Sequence, residues 1–247
     1  MLKEKKILKT QLPFEYSEGF VDFLGCRIDL SQRIFIPRVE TEFWLKRAIK
    51  EIKTKSRKLK TKGREFLVLD VFSGSGCIGI AIQKACPEYF KMIDFGDIDK
   101  RALRQIKINL GLNKIKQNRV KIIKTNIFSG IKGRYDYIFA NPPYVAKERL
   151  KEVHPSVKKY EPKIALLGGR EGLEIISKFL GKAKRFLRRN GIIYMEIDSR
   201  QKRIIEDILR GYGYKEFKFY RDQFKKYRWI KIFKTRTSKR SKNAKNI

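Results

Sequence analysis

The sequence predicts an α/β fold built on a doubly wound, mostly parallel sheet, and three observations carry that expectation. From Phe66 onward, short apolar runs alternate with helix-patterned stretches, the arrangement of parallel strands joined by crossover helices. The turn Phe72-Ser73-Gly74-Ser75-Gly76 breaks the first run where it passes into a helical pattern. Near the end, residues 215–220 and 227–233 alternate apolar and polar side chains around a Phe/Lys-rich turn, as an antiparallel pair at a sheet edge does.

The elements follow in order. Residues 18–36 (GFVDFLGCRIDLSQRIFI from Gly19) predict a short β-hairpin. Residues 40–53 predict an amphipathic helix that directs Phe43, Trp44, Ala48 and Ile52 into the core. Strands are expected over 66–72, 92–97, 120–125, 135–140 and 191–197, which with the two terminal strands makes seven in the sheet. Between them, 77–85, 100–112, 173–189 and 201–210 carry helical periodicity, the third closed by Asn190-Gly191. No internal repeat is present.

Composition narrows the function. A chain of 247 residues that is 42% hydrophobic and 12% aromatic can bury a core, which excludes disorder throughout. No apolar run is long enough to span a membrane, and MLKEKKILKT is not followed by a signal-peptide core, so a cytoplasmic protein is expected. Cys26, Cys77 and Cys86 are odd in number and widely spaced, so neither a disulfide framework nor a metal site is expected. The 60 Lys+Arg against 26 Asp+Glu give +34, far above the roughly 2–8 of a small soluble domain. Such a surface attracts RNA or the ribosome through counterion release. Compositional bias accounts for it equally well, since Lys (38) outnumbers Arg (22). Basic residues concentrate in 50–64 and in 225–247, the first read as a solvated linker and the end of the second as a disordered tail.

Two motifs carry chemistry. Gly74 and Gly76 let a strand-to-helix turn approach a nucleotide closely, yet no Lys follows Gly76 as a phosphate-binding loop requires. A nucleoside ligand with no phosphate to neutralise, such as S-adenosylmethionine, fits that turn. Asp97, 21 residues past Gly76 at the end of the second strand, is placed to accept both ribose hydroxyls. Asn141-Pro142-Pro143-Tyr144 directly follows the fourth strand. The Asn141 side-chain oxygen and the Pro142 carbonyl can each accept one hydrogen of a planar NH2 group. That leaves the nitrogen lone pair directed at a sulfonium methyl. Tyr144 would wall the flat group, and no strong base is needed. His154, the single histidine, is therefore assigned to a turn with Pro155. The motif implies an amide or exocyclic amine as substrate.

Three further segments resemble one family, the HemK/PrmC protein glutamine methyltransferases. Ile36-Pro37-Arg38-Val39-Glu40-Thr41-Glu42 is similar to that family's IPRxETE signature. The segment from Glu161-Pro162 through Ala165-Leu166, Gly168-Gly169 and Gly172-Leu173 is similar to its EPxxAL…GG…GL stretch. Glu196 with Gln201, and Arg221-Asp222 with Arg228, resemble its C-terminal pattern. The resemblance implies a Rossmann-like class I methyltransferase fold and S-adenosylmethionine as cofactor. It also implies, as substrate, the glutamine of the Gly-Gly-Gln loop of peptide-chain release factors. By position it implies cofactor contacts at Phe72, Ser73, Gly74, Ser75, Gly76, Asp97, Ile127 and Asn141, with catalysis and substrate binding at Asn141, Pro142, Pro143 and Tyr144. Glu161 is expected to orient Arg38 or the loop after Tyr144.

The resemblance divides the chain into an extension (1–17), a hairpin, helix and basic linker (18–64), a catalytic domain (65–234) and a basic tail (235–247). Departures are Phe72 for a small residue, Asn126 for an aspartate and Asp198 for a glycine, the second predicting weaker cofactor binding. Family members carry a helical domain ahead of the hairpin, where 17 residues stand here. Two other readings stay open at this level. One is an adenine exocyclic-amine methyltransferase acting on RNA or DNA; the other is an inactive RNA-binding module on the same fold.

Overall fold

The computed structural model describes residues 12–60 and 65–234. The expected tail 235–247, residues 61–64 of the basic linker and residues 1–11 lie outside the described residues. The described chain opens with α1 (Phe14–Glu18), the hairpin β1 (Phe20–Phe23) and β2 (Cys26–Asp29), and α2 (Val39–Lys60). Then follow β3 (Phe66–Val71), α3 (Cys77–Ala85), β4 (Phe90–Asp97), α4 (Lys100–Leu112), β5 (Val120–Lys124) and β6 (Tyr135–Ala140). The short helices α5 (Pro155–Tyr160) and α6 (Lys163–Leu166) precede α7 (Glu174–Phe186), β7 (Leu187–Glu196) and α8 (Lys202–Gly211). The strands β8 (Glu216–Arg221) and β9 (Tyr227–Phe233) close the fold.

The seven strands lie in the order β5-β4-β3-β6-β7-β9-β8. Strands β5, β4, β3, β6 and β7 pair in parallel, and β9 runs antiparallel to both β7 and β8, the β8–β9 pair being the antiparallel edge that the alternation of their sequences predicts. Central strands covered on both faces read as continuous apolar runs, and every residue of β6 is buried. The period-two alternation still sorts side chains by face. Val68, Phe95, Phe139 and Tyr194 meet α2, α3, α4 and the hairpin, whereas Leu69, Val71, Ile138 and Ile193 meet α7 and α8. The hairpin and α2 thus share one apolar core with the sheet. Trp44 lies at its centre, with its ring centroid 6.4 Å from Phe139 and 6.2 Å from Trp229.

Three differences from the sequence-based expectation have local causes. The helix expected over 173–189 ends at Phe186, because Leu187 is fully buried and pairs with Tyr135 in the sheet. Asn190, at φ 62°, forms part of the resulting strand irregularity instead of a helix cap. The helix expected over 40–53 continues to Lys60. The hairpin pairs only from Phe20 opposite Asp29 to Phe23 opposite Cys26, and Leu30, Ile34 and Ile36 leave it to fill the core. Between β5 and β6 no helix covers the sheet. The loop there buries Ile127, Phe128 and Ile131, and Phe128 stacks on Phe186 with centroids 4.3 Å apart. Among the described residues no helix is long and apolar enough to cross a membrane.

Candidate active site

Strand β3 has β4 on one side and β6 on the other, so the chain reverses its direction of winding between β3 and β6. At that switch, outside the carboxyl ends of the strands, an open α/β sheet leaves a crevice. A cavity of about 310 Å³ occupies it, lined by the 72–75 turn from β3, Asp97 from β4, and Asn141, Pro142 and Tyr144 from β6.

The turn is fixed from beneath. The Ser73 hydroxyl donates to the Asp70 carbonyl at 2.7 Å, and the Ser73 N–H donates to the Gly96 carbonyl at 3.1 Å. Gly74 adopts φ +53°, and a Cβ placed on it would meet nothing within 4 Å, so its backbone faces open space that a ligand can approach. Its N–H donates to Asp97 Oδ2 at 2.8 Å, while Asp97 Oδ1 accepts the Asp99 N–H at 2.9 Å. Burial raises the Asp97 carboxyl above the usual carboxylate range, against the pull of these N–H groups. Phe72 takes the left-handed conformation at φ 60° and sets its ring edge-on to Phe179, with centroids 5.8 Å apart. A bulky first residue is therefore accommodated by the second apolar layer.

The loop after β6 is held by the Gly-rich segment that follows it. Val145 donates its N–H to the Leu166 carbonyl at 2.8 Å and accepts the Gly168 N–H at 3.0 Å. A Cβ on Gly168 would stand 2.5 Å from the Pro143 carbonyl oxygen, and one on Gly172 would stand 2.1 Å from that of Tyr144. Gln201 Nε2 donates to the Tyr144 carbonyl at 3.0 Å and to the Gly172 carbonyl at 3.2 Å. The EPxxAL…GG…GL stretch is thus a backbone mould for Asn141-Pro142-Pro143-Tyr144.

Residues of the early signature reach the same loop. Arg38 pairs with Glu161, whose side chain is fully buried, as the sequence reading expects of Glu161. Glu42 Oε1 accepts the Leu24 N–H at 2.9 Å and pins the hairpin turn to α2. The Thr41 hydroxyl donates to Glu196 Oε2 at 2.6 Å, and Trp44 Nε1 donates to the same oxygen at 2.8 Å. Tyr144 donates to Glu196 Oε1 at 3.4 Å, and Asn141 Nδ2 donates to Thr41 Oγ1 at 3.5 Å. Burial raises the Glu196 carboxyl. Burial and this nearby carboxylate together raise the Tyr144 phenol, which stays neutral at physiological pH.

Of the residues singled out from sequence, Phe72, Ser73, Gly74, Ser75, Asp97, Asn141, Pro142 and Tyr144 line the cavity. Gly76, Ile127 and Pro143 do not: Gly76 stands at the cap just before α3, Ile127 is 7% exposed within the second core, and Pro143 backs onto Gly168. Asn126 is exposed and accepts the Ser129 N–H on its backbone carbonyl at 3.1 Å. Asp198 accepts the Arg200 N–H at 3.0 Å and pairs with Arg149 and Arg200, which accounts for a charged residue there. His154 caps α5 through Nδ1. Sequence reasoning missed the couplings of Thr41 and Glu196 to the loop. The available signals were a threonine on the helix face that carries Trp44, Leu45, Ala48 and Ile52, and a carboxylate ending the apolar strand Ile192-Ile193-Tyr194-Met195.

The strand order, the glycine turn with its acid, and the Asn-Pro-Pro-Tyr loop at the switch point define a Rossmann-like class I methyltransferase. Comparison with known proteins agrees and narrows the class. Residues 56–157 match the family described as Methyltransferase small domain. A release factor glutamine methyltransferase of Borreliella burgdorferi is 34% identical over 226 residues, covering 87% of this chain and 73% of that one. Another, of Clostridium botulinum, is 32% identical over 232 residues, covering 92% and 77%. The solved human methyltransferase 10 domain containing protein shares the fold, with a TM-score of 0.57 at 17% identity over 85% of this chain and 90% of that one. The chain belongs to the release factor glutamine methyltransferase family.

Proposed function

We propose that this chain transfers a methyl group from S-adenosylmethionine to the side-chain amide nitrogen of the glutamine in the Gly-Gly-Gln motif of a peptide-chain release factor. One observation carries the reading beyond family membership: Asn141, Pro142 and Tyr144 line the same cavity as the Phe72–Ser75 turn and Asp97.

The residues present fit the cofactor. Among the described residues lining the cavity, Arg38 is the one basic side chain and Asp97 and Asp99 are acidic, which suits a cationic nucleoside without phosphate. The open Gly74 backbone and the Asp97 carboxylate would hold it, the latter at the ribose. Bound there, S-adenosylmethionine would supply an electrophilic methyl, the C–S electron pair staying with S-adenosylhomocysteine as the leaving group.

The chain's own residues then position a nucleophile. The Asn141 carbonyl oxygen and the Pro142 carbonyl each accept one amide hydrogen, so the glutamine nitrogen presents its lone pair to the cavity. The same two acceptors stabilise positive charge building on that nitrogen. Tyr144 walls the amide plane. No base is required, because the methylated nitrogen becomes acidic and loses its proton to water. The neutral Tyr144 phenol and the helix-capping His154 are consistent with that.

The test is methyl transfer from labelled cofactor to a purified release factor, beside its Gly-Gly-Ala variant and bulk RNA, with mass spectrometry of the product. Label on the wild-type factor alone is expected. Label on RNA alone would replace the reading by base methylation, in which the Tyr144 pocket takes a flipped base. The +34 charge supports a separate, non-catalytic RNA or ribosome contact. Such a contact would weaken steeply as salt is raised.

A further inference from the structure

A planar NH2 group can be gripped at Asn141 only if the Asn141 amide is turned one way. Its oxygen must face the cavity and its NH2 must face the protein; the opposite flip would point a donor at a donor. Nothing in the Asn-Pro-Pro-Tyr loop itself decides between the two, because the ends of an amide differ little in shape. The decision comes from a chain of donors behind the loop. Trp44 Nε1 is donor-only, so Glu196 Oε2, 2.8 Å away, is an acceptor. Thr41 Oγ1 lies 2.6 Å from that same oxygen and must donate its single proton there. A hydroxyl whose proton is committed presents only lone pairs elsewhere. Asn141, 3.5 Å from Thr41 Oγ1, can therefore turn only Nδ2 toward it. The polarity of the chain survives protonation of Glu196. An added proton would settle on Oε1, on the Tyr144 side 3.4 Å away, since Oε2 already receives two donors.

We propose that Thr41 is a positioning residue, locked by Glu196 and Trp44, that sets the flip of the Asn141 amide and so makes the cavity selective for a group bearing two hydrogens. The inference rests on the functional reading above and deepens it. It gives the threonine of the early signature a task distinct from packing. It also links the helix before the sheet to the loop after β6 through 100 residues of sequence separation. Substrates whose reacting nitrogen already carries a methyl would lose one of the two acceptor contacts, so the geometry favours a single transfer.

Thr41→Val keeps the shape and removes the hydroxyl, whereas Thr41→Ser keeps the hydroxyl. The first readout needs neither cofactor nor substrate. It is the hydrogen-exchange rate of the Asn141 side-chain amide, measured by NMR on the full chain and assigned by its disappearance in Asn141→Ala. One protected amide proton is expected in the wild type and in Thr41→Ser, and it should exchange faster in Thr41→Val. Equal rates in wild type and Thr41→Val overturn the proposal. The second readout is kinetic. Thr41→Val should lower kcat roughly 10- to 100-fold, the scale of a misoriented catalytic contact, with little change in KM. Thr41→Ser should recover turnover. In an Asn141→Ala background Thr41→Val should cost nothing further, because it acts only through Asn141. The same fold-loss with and without Asn141 would make Thr41 a packing residue and overturn the proposal. A wild-type chain that methylates no release factor would sink the functional reading, while the exchange comparison still decides the role of Thr41.

Discussion

Gly172 lies so close beneath Tyr144 that a Cβ on it would sit 2.1 Å from the Tyr144 carbonyl oxygen, and its backbone is at φ +71°. Both conditions exclude any side chain. Gly172→Ala must push the loop that carries Asn141 or move the single turn of residues 170–172 with its Gln201 anchor. A left-handed non-glycine residue and an overpacked contact together cost roughly 2–4 kcal/mol. Chemical denaturation should show that loss, and methyl transfer should fall with it. A variant as stable and active as wild type would mean that the Gly-rich segment does not mould the loop.

Arg38 and Glu161 offer a prediction with a pH sign. Burial raises the Glu161 carboxyl above its usual range, and Arg38 acts in the opposite direction. A carboxyl raised in the folded state contributes stability below its unfolded pKa and loses it as pH climbs through the folded value. Removing Arg38 extends that loss to higher pH. Arg38→Ala should therefore cost roughly 3 kcal/mol near pH 7, the scale of stranding a buried charge, and less near pH 5, since acidification moves a carboxyl raised by burial toward its neutral form. Urea unfolding at the two pH values checks it, and a pH-independent difference would contradict it.

These contacts also show where sequence reading reaches and where it stops. Strands β3, β6 and the run Ile192-Ile193-Tyr194-Met195 of β7 are legible because each is a near-continuous apolar run between turn signals, and β8 and β9 because they alternate. The glycine turn and Asn141 are legible because their chemistry needs particular residues next to one another. The boundary at Leu187 is not, since helix and strand compete for Leu187-Arg188-Arg189 and tertiary pairing with Tyr135 decides. Nor is the union of Thr41 with Glu196, which are 155 positions apart and become partners only when α2 packs across β7. Asp198, uninterpretable in the sequence, becomes plain once Arg149 and Arg200 converge on it.

The cysteines should be inert in the folded chain. All three are free and buried, and burial pushes the Cys77 thiol up to about 12 and that of Cys86 to about 11. Against an ordinary thiol near 9.0, the Cys77 thiolate at a given pH is about a thousandfold scarcer. Iodoacetamide at pH 8 should leave the native protein unlabelled over a time that fully labels the denatured chain. Cys77 lines the cavity, so rapid labelling of native Cys77 would show that its thiolate is more populated than its burial allows.

Asp97→Ala should act on the cofactor. The carboxylate accepts the N–H groups of Gly74 and Asp99, so its loss loosens the turn as well as removing a partner for the ribose. Hydrogen bonds to a charged group contribute roughly 1.5–3 kcal/mol, which predicts an S-adenosylmethionine Kd raised about 10- to 100-fold. Because burial raises the Asp97 carboxyl, wild-type affinity should begin to fall at a higher pH than an ordinary aspartate would dictate as the solution is acidified. Asp97→Asn should lack that acid limb. Calorimetry across pH decides, and an unchanged Kd in Asp97→Ala would remove the residue from the site.

Asn141→Ala should act on turnover instead. Asn141 lines the cavity from the loop after β6, not from the 72–75 turn, and its amide nitrogen lies 3.5 Å from Thr41 Oγ1. Truncating it removes an acceptor that strengthens as charge develops on the substrate nitrogen, and such a loss lowers turnover by roughly 10²-fold or more. Cofactor affinity should change little, since the turn and Asp97 remain. Asn141→Asp sharpens the comparison: it keeps an acceptor toward the cavity but turns another acceptor on the Thr41 lone pairs. Its turnover should fall between those of wild type and Asn141→Ala. Single-turnover methyl transfer, with Kd measured alongside, separates the two effects. Turnover in Asn141→Ala equal to wild type would end the proposal that this side chain orients the reacting amide.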